Sequence, residues 1–317
     1  MAFGYYSASW IECVDHGRRA AIVRLGVLAS GLVVNPARAE ETPLVTRAIP
    51  STRELLPVIG LGTWQVFDAG ADPVRRAALR EALAAFAQGG GRVIDSAPMY
   101  GSSESVLGEL AAGLSLESHL FLATKIWTRG RDAGVRQMEE SLSRLRATRI
   151  DLMQVHNLLD VGTHARTLAE WKAEGRARYI GVTHYLASAH AEVERLIVEG
   201  SFDFVQINYS LAEPEAERRL LPLARERGVA VIANRPFAEG ALFSQVRGKP
   251  LPEWAKEIGA ATWAQYFLKW IVAHPAVTCA IPGTARADHL RDNLAAGRGP
   301  LPDAAMRRRM RAELGLQ

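Results

Sequence analysis

Cysteine is scarce. The 317 residues hold two, Cys13 and Cys279, with no CxxC pair and no Cys/His cluster. A disulfide scaffold is thereby excluded, and nothing supports a metal site, so no metal is expected. An excess of one charge is also missing: 38 Lys and Arg against 34 Asp and Glu leave a net +4. Spread over this length, that is too little to imply a nucleic-acid partner. Long apolar runs are absent near the N-terminus, where the longest uninterrupted stretch covers 25–34. A membrane span needs about 20 residues, so no membrane integration is expected. What remains is ordinary globular usage, 48 % hydrophobic and 23 % charged, which argues against a disordered or fibrous chain.

Residues 1–42 differ from the rest. Arg18-Arg19 precede the largely apolar AAIVRLGVLASGLVV, followed by Asn35-Pro36 and the small-residue site Ala37-Arg38-Ala39. Basic residues, an apolar stretch and an AxA site are the parts of an export signal. The paired arginines suggest the twin-arginine type. The expectation is an export signal or disordered leader over 1–42 and delivery to the periplasm, with an uncleaved tail on a cytoplasmic protein as the alternative. Arg24, inside the apolar stretch, departs from the signal pattern.

From residue 43 to 317 the chain reads as one domain. Short apolar runs at 58–64, 92–97, 120–125, 150–156, 177–183, 202–209, 228–234 and 277–283 are candidate strands. Longer amphipathic stretches between them, at 73–88, 106–112, 134–146, 164–174, 188–199, 215–227 and 262–274, are candidate helices. Pro73 suits a first helical turn, and Gly89, Gly175 and Gly228 suit helix ends. Eight apolar strands alternating with helices call for a parallel sheet covered on both faces. An eightfold repeat closes into a (β/α)8 TIM barrel. A doubly wound open sheet is the runner-up, weakened because no G-x-G-x-x-G follows the first strand. The stretch 235–261 is long for a strand-to-helix connection, and such loops tend to be functional.

A barrel of this kind works at the carboxyl ends of its strands. Strand two ends in Asp95-Ser96-Ala97-Pro98-Met99-Tyr100-Gly101, strand three in Lys125 and strand four in His156. Taken singly, a strand-end lysine is usually a solvated cap and a histidine in an apolar strand usually a core residue. Three strands delivering Asp95, Tyr100, Lys125 and His156 to one rim make a catalytic constellation the better reading.

At this point the chain resembles the aldo-keto reductase family, from about Pro57 to Asn293. The resemblance rests on GRVIDSAPMYGSSESVLGEL (91–110), the strand ending in Lys125, DLMQVH (151–156) and IPGTARADHLRDN (281–293). It implies an oxidoreductase that reduces aldehydes or small ketones with NADPH, NAD being the less favoured cofactor, and a small-molecule carbonyl as the only partner. By the same resemblance Tyr100 is the proton donor, Lys125 its activator, Asp95 the partner of Lys125 and His156 the orienter of the carbonyl. The physics agrees. A phenol titrates near 10, too high for work at neutral pH, and a neighbouring ammonium is expected to lower that value. A His156 N–H would act as an oxyanion-hole donor.

Cofactor contacts are expected from other strand ends. Gly62-Thr63-Trp64 closes strand one, and Gln206 resembles the family's carboxamide-binding glutamine. Pro282, Gly283 and Thr284 lead into a helix N-terminus, a natural phosphate site. Arg286 and His289 would meet the 2′-phosphate, and Asp292 and Asn293 resemble the adenine-contacting pair.

Departures from the family pattern are specific. Thr183-His184 replaces the usual Ser-Asn, and both can still bond a carboxamide. The aromatic expected after strand seven is missing; the segment reads Asn234-Arg235-Pro236-Phe237. Arg235 is expected either to stack through its planar guanidinium or to bond a phosphate. Gly283 stands where many relatives carry lysine, so the NADP preference rests mainly on Arg286. The connection 157–162 is short and no long segment follows the last helix, so an open pocket and broad specificity are expected. Trp64, Met99 and Trp127 are candidate walls, with core or rim packing as the plain alternative. The run Arg307-Arg308-Arg309-Met310-Arg311 reads as the solvated face of a last helix. A monomer is expected. Two other functions stay open: a nucleotide-sensing subunit that turns over slowly, and a barrel aldolase or isomerase in which Lys125 forms a Schiff base.

Overall fold

The structure, a computed structural model, describes residues 42–200 and 202–316. The leader expected over 1–42, Cys13 included, lies outside them apart from Thr42. The described chain opens with a hairpin of β1 (Thr46–Ala48) and β2 (Leu55–Pro57). Eight parallel strands follow: β3 (Leu61–Gly62), β4 (Val93–Asp95), β5 (Phe121–Ile126), β6 (Ile150–His156), β7 (Ala177–Thr183), β8 (Phe204–Asn208), β9 (Ala230–Asn234) and β10 (Val277–Ala280). Each pairs with its sequence neighbour. Single bridges, Ile59 to Ala280 and Gly62 to Gly283, join the first strand to the last. Between and after the strands run α1 (Pro73–Gln88), α2 (Ser103–Ala112), α3 (Arg131–Leu145), α4 (Val161–Ala173), α5 (His190–Glu199), α6 (Leu220–Glu226), α7 (Ala241–Gln245), α8 (Trp263–Val272), α9 (Ala287–Ala295) and α10 (Ala304–Glu313). This is the (β/α)8 barrel that the alternation implied.

Local sequence accounts for several of these choices. Asp72 caps α1, its carboxylate accepting from the N–H groups of Val74 and Arg75 at 2.9 and 3.1 Å, with Pro73 in the first turn. The expected strand 58–64 is reduced to two residues and the two bridges. Barrel closure brings backbones so near that a Cβ at Gly60 would stand 2.8 Å from the carbonyl oxygen of Val93, and one at Gly62 2.9 Å from that of Ile281. Only glycine permits this approach.

The inward face is divided along the strand axis. Because strand side chains alternate, residues two apart share a face. Val93, Phe121, Leu152, Tyr179, Phe204, Ala230 and Ile232 form an apolar layer inside the barrel. Ile49 and Leu56, which flank the hairpin turn, are fully buried in the same cluster and plug its floor. Tyr179 shares a 2.7 Å hydrogen bond with Thr52 of that turn and donates to Glu54 at 2.8 Å. Arg178 binds both Glu54 and Asp151. One or two steps further along each strand, on that same inward face, come Asp95, Lys125, Gln154, Gly181, Thr183 and Gln206. Cys279 is buried and free, and burial pushes its thiol up from the usual range, as fits a packing residue.

The arginine run near the C-terminus differs in part from expectation. Arg307 stacks on Trp270 at 4.2 Å, donates to its carbonyl oxygen at 3.0 Å and pairs with Glu217 at 2.6 Å. Arg309 stacks on Trp254 at 4.2 Å, and Arg311 donates to the Leu211 carbonyl oxygen at 3.2 Å. Planar guanidinium groups lie well on indole faces, so Arg307 and Arg311 help dock α10 onto the barrel, while Arg308 and Arg309 stay exposed as expected. Among the described residues no helix is long and apolar enough to cross a membrane.

Candidate active site

Strand register brings the expected residues together. Gly62 pairs with Asp95, Lys125 with Gln154, His156 with Thr183, and Thr183 with Gln206. Lys125 is 1 % exposed, the inward continuation of Phe121 and Ala123. Its Nζ donates to Asp95 Oδ2 and to the Ser96 carbonyl oxygen, both at 2.6 Å. The second oxygen of Asp95 accepts from Gln154 Nε2 at 3.2 Å. A buried ion pair of this kind is tolerated only when its remaining bonding capacity is met. Gln154 and Ser96, which sequence reasoning did not single out, meet it here.

Tyr100 sits on the turn between β4 and α2. Its carbonyl oxygen accepts from the N–H of Ser103, and from the Ser103 hydroxyl at 2.7 Å. The next residue, Gly101, has φ +60, where a Cβ would strike the Asp68 carboxylate. Asp68 in turn accepts from the N–H and the hydroxyl of Ser102, at 2.9 and 2.7 Å. The tyrosine-bearing turn is thus held by groups on both sides of it. Its ring lies with Lys125 Nζ 5.0 Å from the centroid and the His156 ring edge-on at 6.3 Å. Trp127 closes the other side of His156 at 5.8 Å.

Electrostatics differ from expectation at one point. Burial pushes the Tyr100 phenol up, and this outweighs the downward pull of Lys125. At neutral pH the phenol therefore keeps its proton. Burial pulls on the Lys125 ammonium in the opposite sense, but Asp95 and Tyr100 together raise it above its ordinary value. His156 is pulled down to about 3, first by burial and then by the charges of Lys125 and His184. His184 is lowered by burial and by His190.

His156 is thus neutral throughout the physiological range. Between its ordinary value of about 6.5 and about 3 the unfolded chain binds a proton at this position that the folded chain does not. Stability is then expected to fall as pH drops through that window. Any activity using His156 is expected to show no inflection near pH 6.5. A kcat/KM profile with a break there that is lost in His156→Gln would contradict this.

The expected cofactor-contacting residues fall into two groups. Thr183 donates to Gln206 Oε1 at 2.7 Å, and the His184 N–H donates to the Gln206 carbonyl oxygen at 2.9 Å. Gln206 is 1 % exposed and its Nε2 has no partner among the described residues. At the carboxyl ends of β6 and β9, His156 Nδ1, Asn157 Oδ1, Asn234 Oδ1 and Arg235 Nε are likewise buried and without a partner among the described residues. Buried polar atoms are normally satisfied, so such a concentration at one end of the barrel marks a ligand site. Thr63 is different. Its buried hydroxyl bonds Ser96 and the Asp95 carbonyl oxygen, so it braces β3 against β4. Trp64 stands 51 % exposed at the rim and Met99 half-buried.

The second group follows β10. Pro282 is buried, Gly283 exposed, and Thr284 Oγ1 accepts from the Arg286 N–H at 3.2 Å. Arg286 and His289 are exposed at the start of α9, where Arg286 pairs with Asp288 at 2.5 Å. Asn293 is buried. Both oxygens of Asp292 are taken, by Thr262 at 2.8 Å and Gln265 at 2.7 Å, tying α9 to α8. Among the described residues no cluster of His, Cys, Asp and Glu has the makings of a metal site.

The fold and the rim together define a (β/α)8 barrel with a candidate active site at the carboxyl ends of its strands. The model of the aldo/keto reductase family matches residues 58–312, and the chain belongs to that family. Among curated relatives it is 30 % identical over 247 residues to the methylglyoxal reductase YeaE of Escherichia coli K12, spanning 76 % of this chain and 85 % of that one. Among solved structures it is similar to an aldo/keto reductase from Klebsiella pneumoniae in complex with NADP and acetate. That match has a TM-score of 0.72 and 27 % identity, over 84 % of this chain and 94 % of the other. A Klebsiella pneumoniae aldo-keto reductase in complex with NADPH matches with TM-score 0.73 and 26 % identity, over 86 % and 97 %.

Proposed function

We propose that the protein reduces aldehydes or small ketones to alcohols with NADPH, using Tyr100 as proton donor. The observation that carries this reading is the buried Asp95–Lys125 pair beneath the Tyr100 ring, with neutral His156 beside it.

The residues fit the cofactor. The unpartnered Nε2 of Gln206 can donate to a carboxamide oxygen, and Thr183 fixes which end of the Gln206 amide is free. Gly62, Trp64, His184 and Arg235 would supply the other contacts at that end of the cofactor. Pro282, Gly283, Thr284, Arg286, His289 and Asn293 would hold the phosphates and adenosine at the N-terminus of α9. To do so Arg286 exchanges Asp288 for phosphate, an exposed pair of little net worth. Asp292 would act indirectly, through its bonds to α8. The NADP- and NADPH-bound relatives support the same choice.

The reduced nicotinamide, when bound, supplies hydride to the carbonyl carbon. The neutral His156 ring offers one N–H to the carbonyl oxygen and so orients it. As negative charge develops on that oxygen, Tyr100 transfers its hydroxyl proton to it. The phenolate left behind is stabilised by the Lys125 ammonium and regains its proton from solvent. Asp95 keeps Lys125 charged and aimed. A bonded and charged Lys125 is a poor amine nucleophile, which weighs against the Schiff-base alternative.

The direct test is oxidation of NADPH, with NADH in parallel, on an activated aldehyde such as 4-nitrobenzaldehyde. A clear NADPH-dependent rate, reduced by Arg286→Ala far more with NADPH than with NADH, is the expected result. NADPH binding without turnover on any of a panel of aldehydes would favour a nucleotide sensor.

A further inference from the structure

A cleft of about 490 Å³ lies at the amino ends of the strands, away from the catalytic rim. Its walls come from α2, the end of α3 and the segments that lead into β4, β5 and β6. Leu107, Leu120, Leu122 and Leu145 give it a buried apolar lining. Ser118 and Thr148 add hydroxyl groups. Arg92, Arg146, Arg149 and Arg178 stand around it, with Glu117 and Asp151 as its carboxylates. A cavity of this size, apolar with a few convergent polar groups, has the character of a small-molecule site.

The charges here are not all balanced. Asp151 is engaged at both oxygens, by Arg178 at 2.7 Å and by the Leu122 N–H at 2.8 Å. Glu54 binds Arg178, meets Arg92 at 3.7 Å and accepts from Tyr179. These acids compensate Arg92 and Arg178. Arg146 and Arg149 are exposed, and among the described residues their guanidinium groups have no ion-pair or hydrogen-bond partner. Glu117 is exposed and pairs with neither. Arg146 also stands where its side chain does nothing for the fold. It ends α3 with φ 53 and ψ 36, in the left-handed region that favours glycine. The closing bonds are made by the backbone N–H groups of Arg146 and Ala147, which donate to the carbonyl oxygens of Ser143 and Leu142. Glycine at position 146 would supply them equally.

We infer that this cleft binds a small phosphate monoester, its head held by Arg146 and Arg149 and its organic body set against the leucines. Guanidinium groups match phosphate oxygens in planar pairs. A phosphate monoester carries roughly two negative charges at neutral pH, which suits two uncompensated arginines better than a single carboxylate does. The apolar lining offers nothing to a bare inorganic ion. The inference does not rest on the reductase reading, because the cleft shares no residue with the catalytic rim or with α9.

The test is a calorimetric titration of the full chain with phenyl phosphate, inorganic phosphate and benzoate. NADP is present in excess, so that a phosphate site at α9 is already filled. Phenyl phosphate is expected to bind at millimolar concentration or below, and the other two more weakly. Arg149→Ala and Arg146→Gly are each expected to weaken phenyl phosphate about tenfold, in line with the loss of one charge-assisted hydrogen-bonding group. Glu117→Gln, which removes the opposing charge, is expected to tighten it. Arg146→Gly is expected not to lower Tm, because glycine suits that backbone, so a loss of binding there reports on the side chain and not on the fold. No binding of phenyl phosphate, or binding that survives both arginine substitutions, would overturn the inference. Inorganic phosphate binding as tightly as phenyl phosphate would overturn the assignment of an organic ester.

Discussion

Tyr100→Phe is expected to lower kcat for aldehyde reduction by about 10²–10⁴-fold, the usual contribution of a positioned proton donor. The substitution removes one oxygen and leaves the ring against Lys125 and His156. The fold and the affinity for NADPH are therefore expected to be unchanged. The loss belongs to the transition state, because the proton is needed only as charge builds on the carbonyl oxygen. It should thus appear equally in kcat and kcat/KM, with little change in KM. Burial holds the phenol above its ordinary pKa, so the donor stays loaded at neutral pH and the reaction needs no prior ionisation. A Tyr100→Phe variant that retains full activity would assign the proton to another group and remove the central element of the mechanism.

Lys125→Met is expected to abolish activity and to destabilise the fold by about 3–5 kcal/mol. Lys125 and Asp95 are almost wholly buried and bonded at 2.6 Å. Removing the ammonium strands a carboxylate in the barrel interior, with Gln154 its only remaining side-chain partner among the described residues. In a domain of this size the change corresponds to a fall in Tm of roughly 10 °C. The double variant Asp95→Asn/Lys125→Met removes both charges and is expected to recover most of that stability while remaining inactive. This separates the pair's two consequences, because a cycle of the four proteins isolates the coupling. A single variant with unaltered Tm would mean that the pair is not desolvated as its burial implies.

The amino-acid order carried a good deal of this. Eight apolar runs spaced by helical stretches allowed few solutions other than a closed parallel barrel. The positions of Asp95, Lys125 and His156 at three strand ends followed directly from where those runs stopped. The hairpin of β1 and β2 was missed because two three-residue strands carry too little periodicity to register. The arginine run of α10 was only partly foreseen for a related reason, since Arg308 and Arg309 are exposed but Arg307 and Arg311 are half-buried. Charge patterning along one helix does not reveal that Trp254 and Trp270 face it from elsewhere in the chain.

Strand alternation and glycine placement, which are local, determined the architecture and the residues presented at the rim. What tertiary structure alone decided were the environments of those residues. The net rise of the Tyr100 pKa depends on how much water the closed barrel excludes, which no local pattern encodes. Gln154 as second partner of Asp95 and Asp292 committed to α8 both join residues that only tertiary structure brings near. Desolvation and hydrogen bonding act through space, so they become readable only once the strands are side by side.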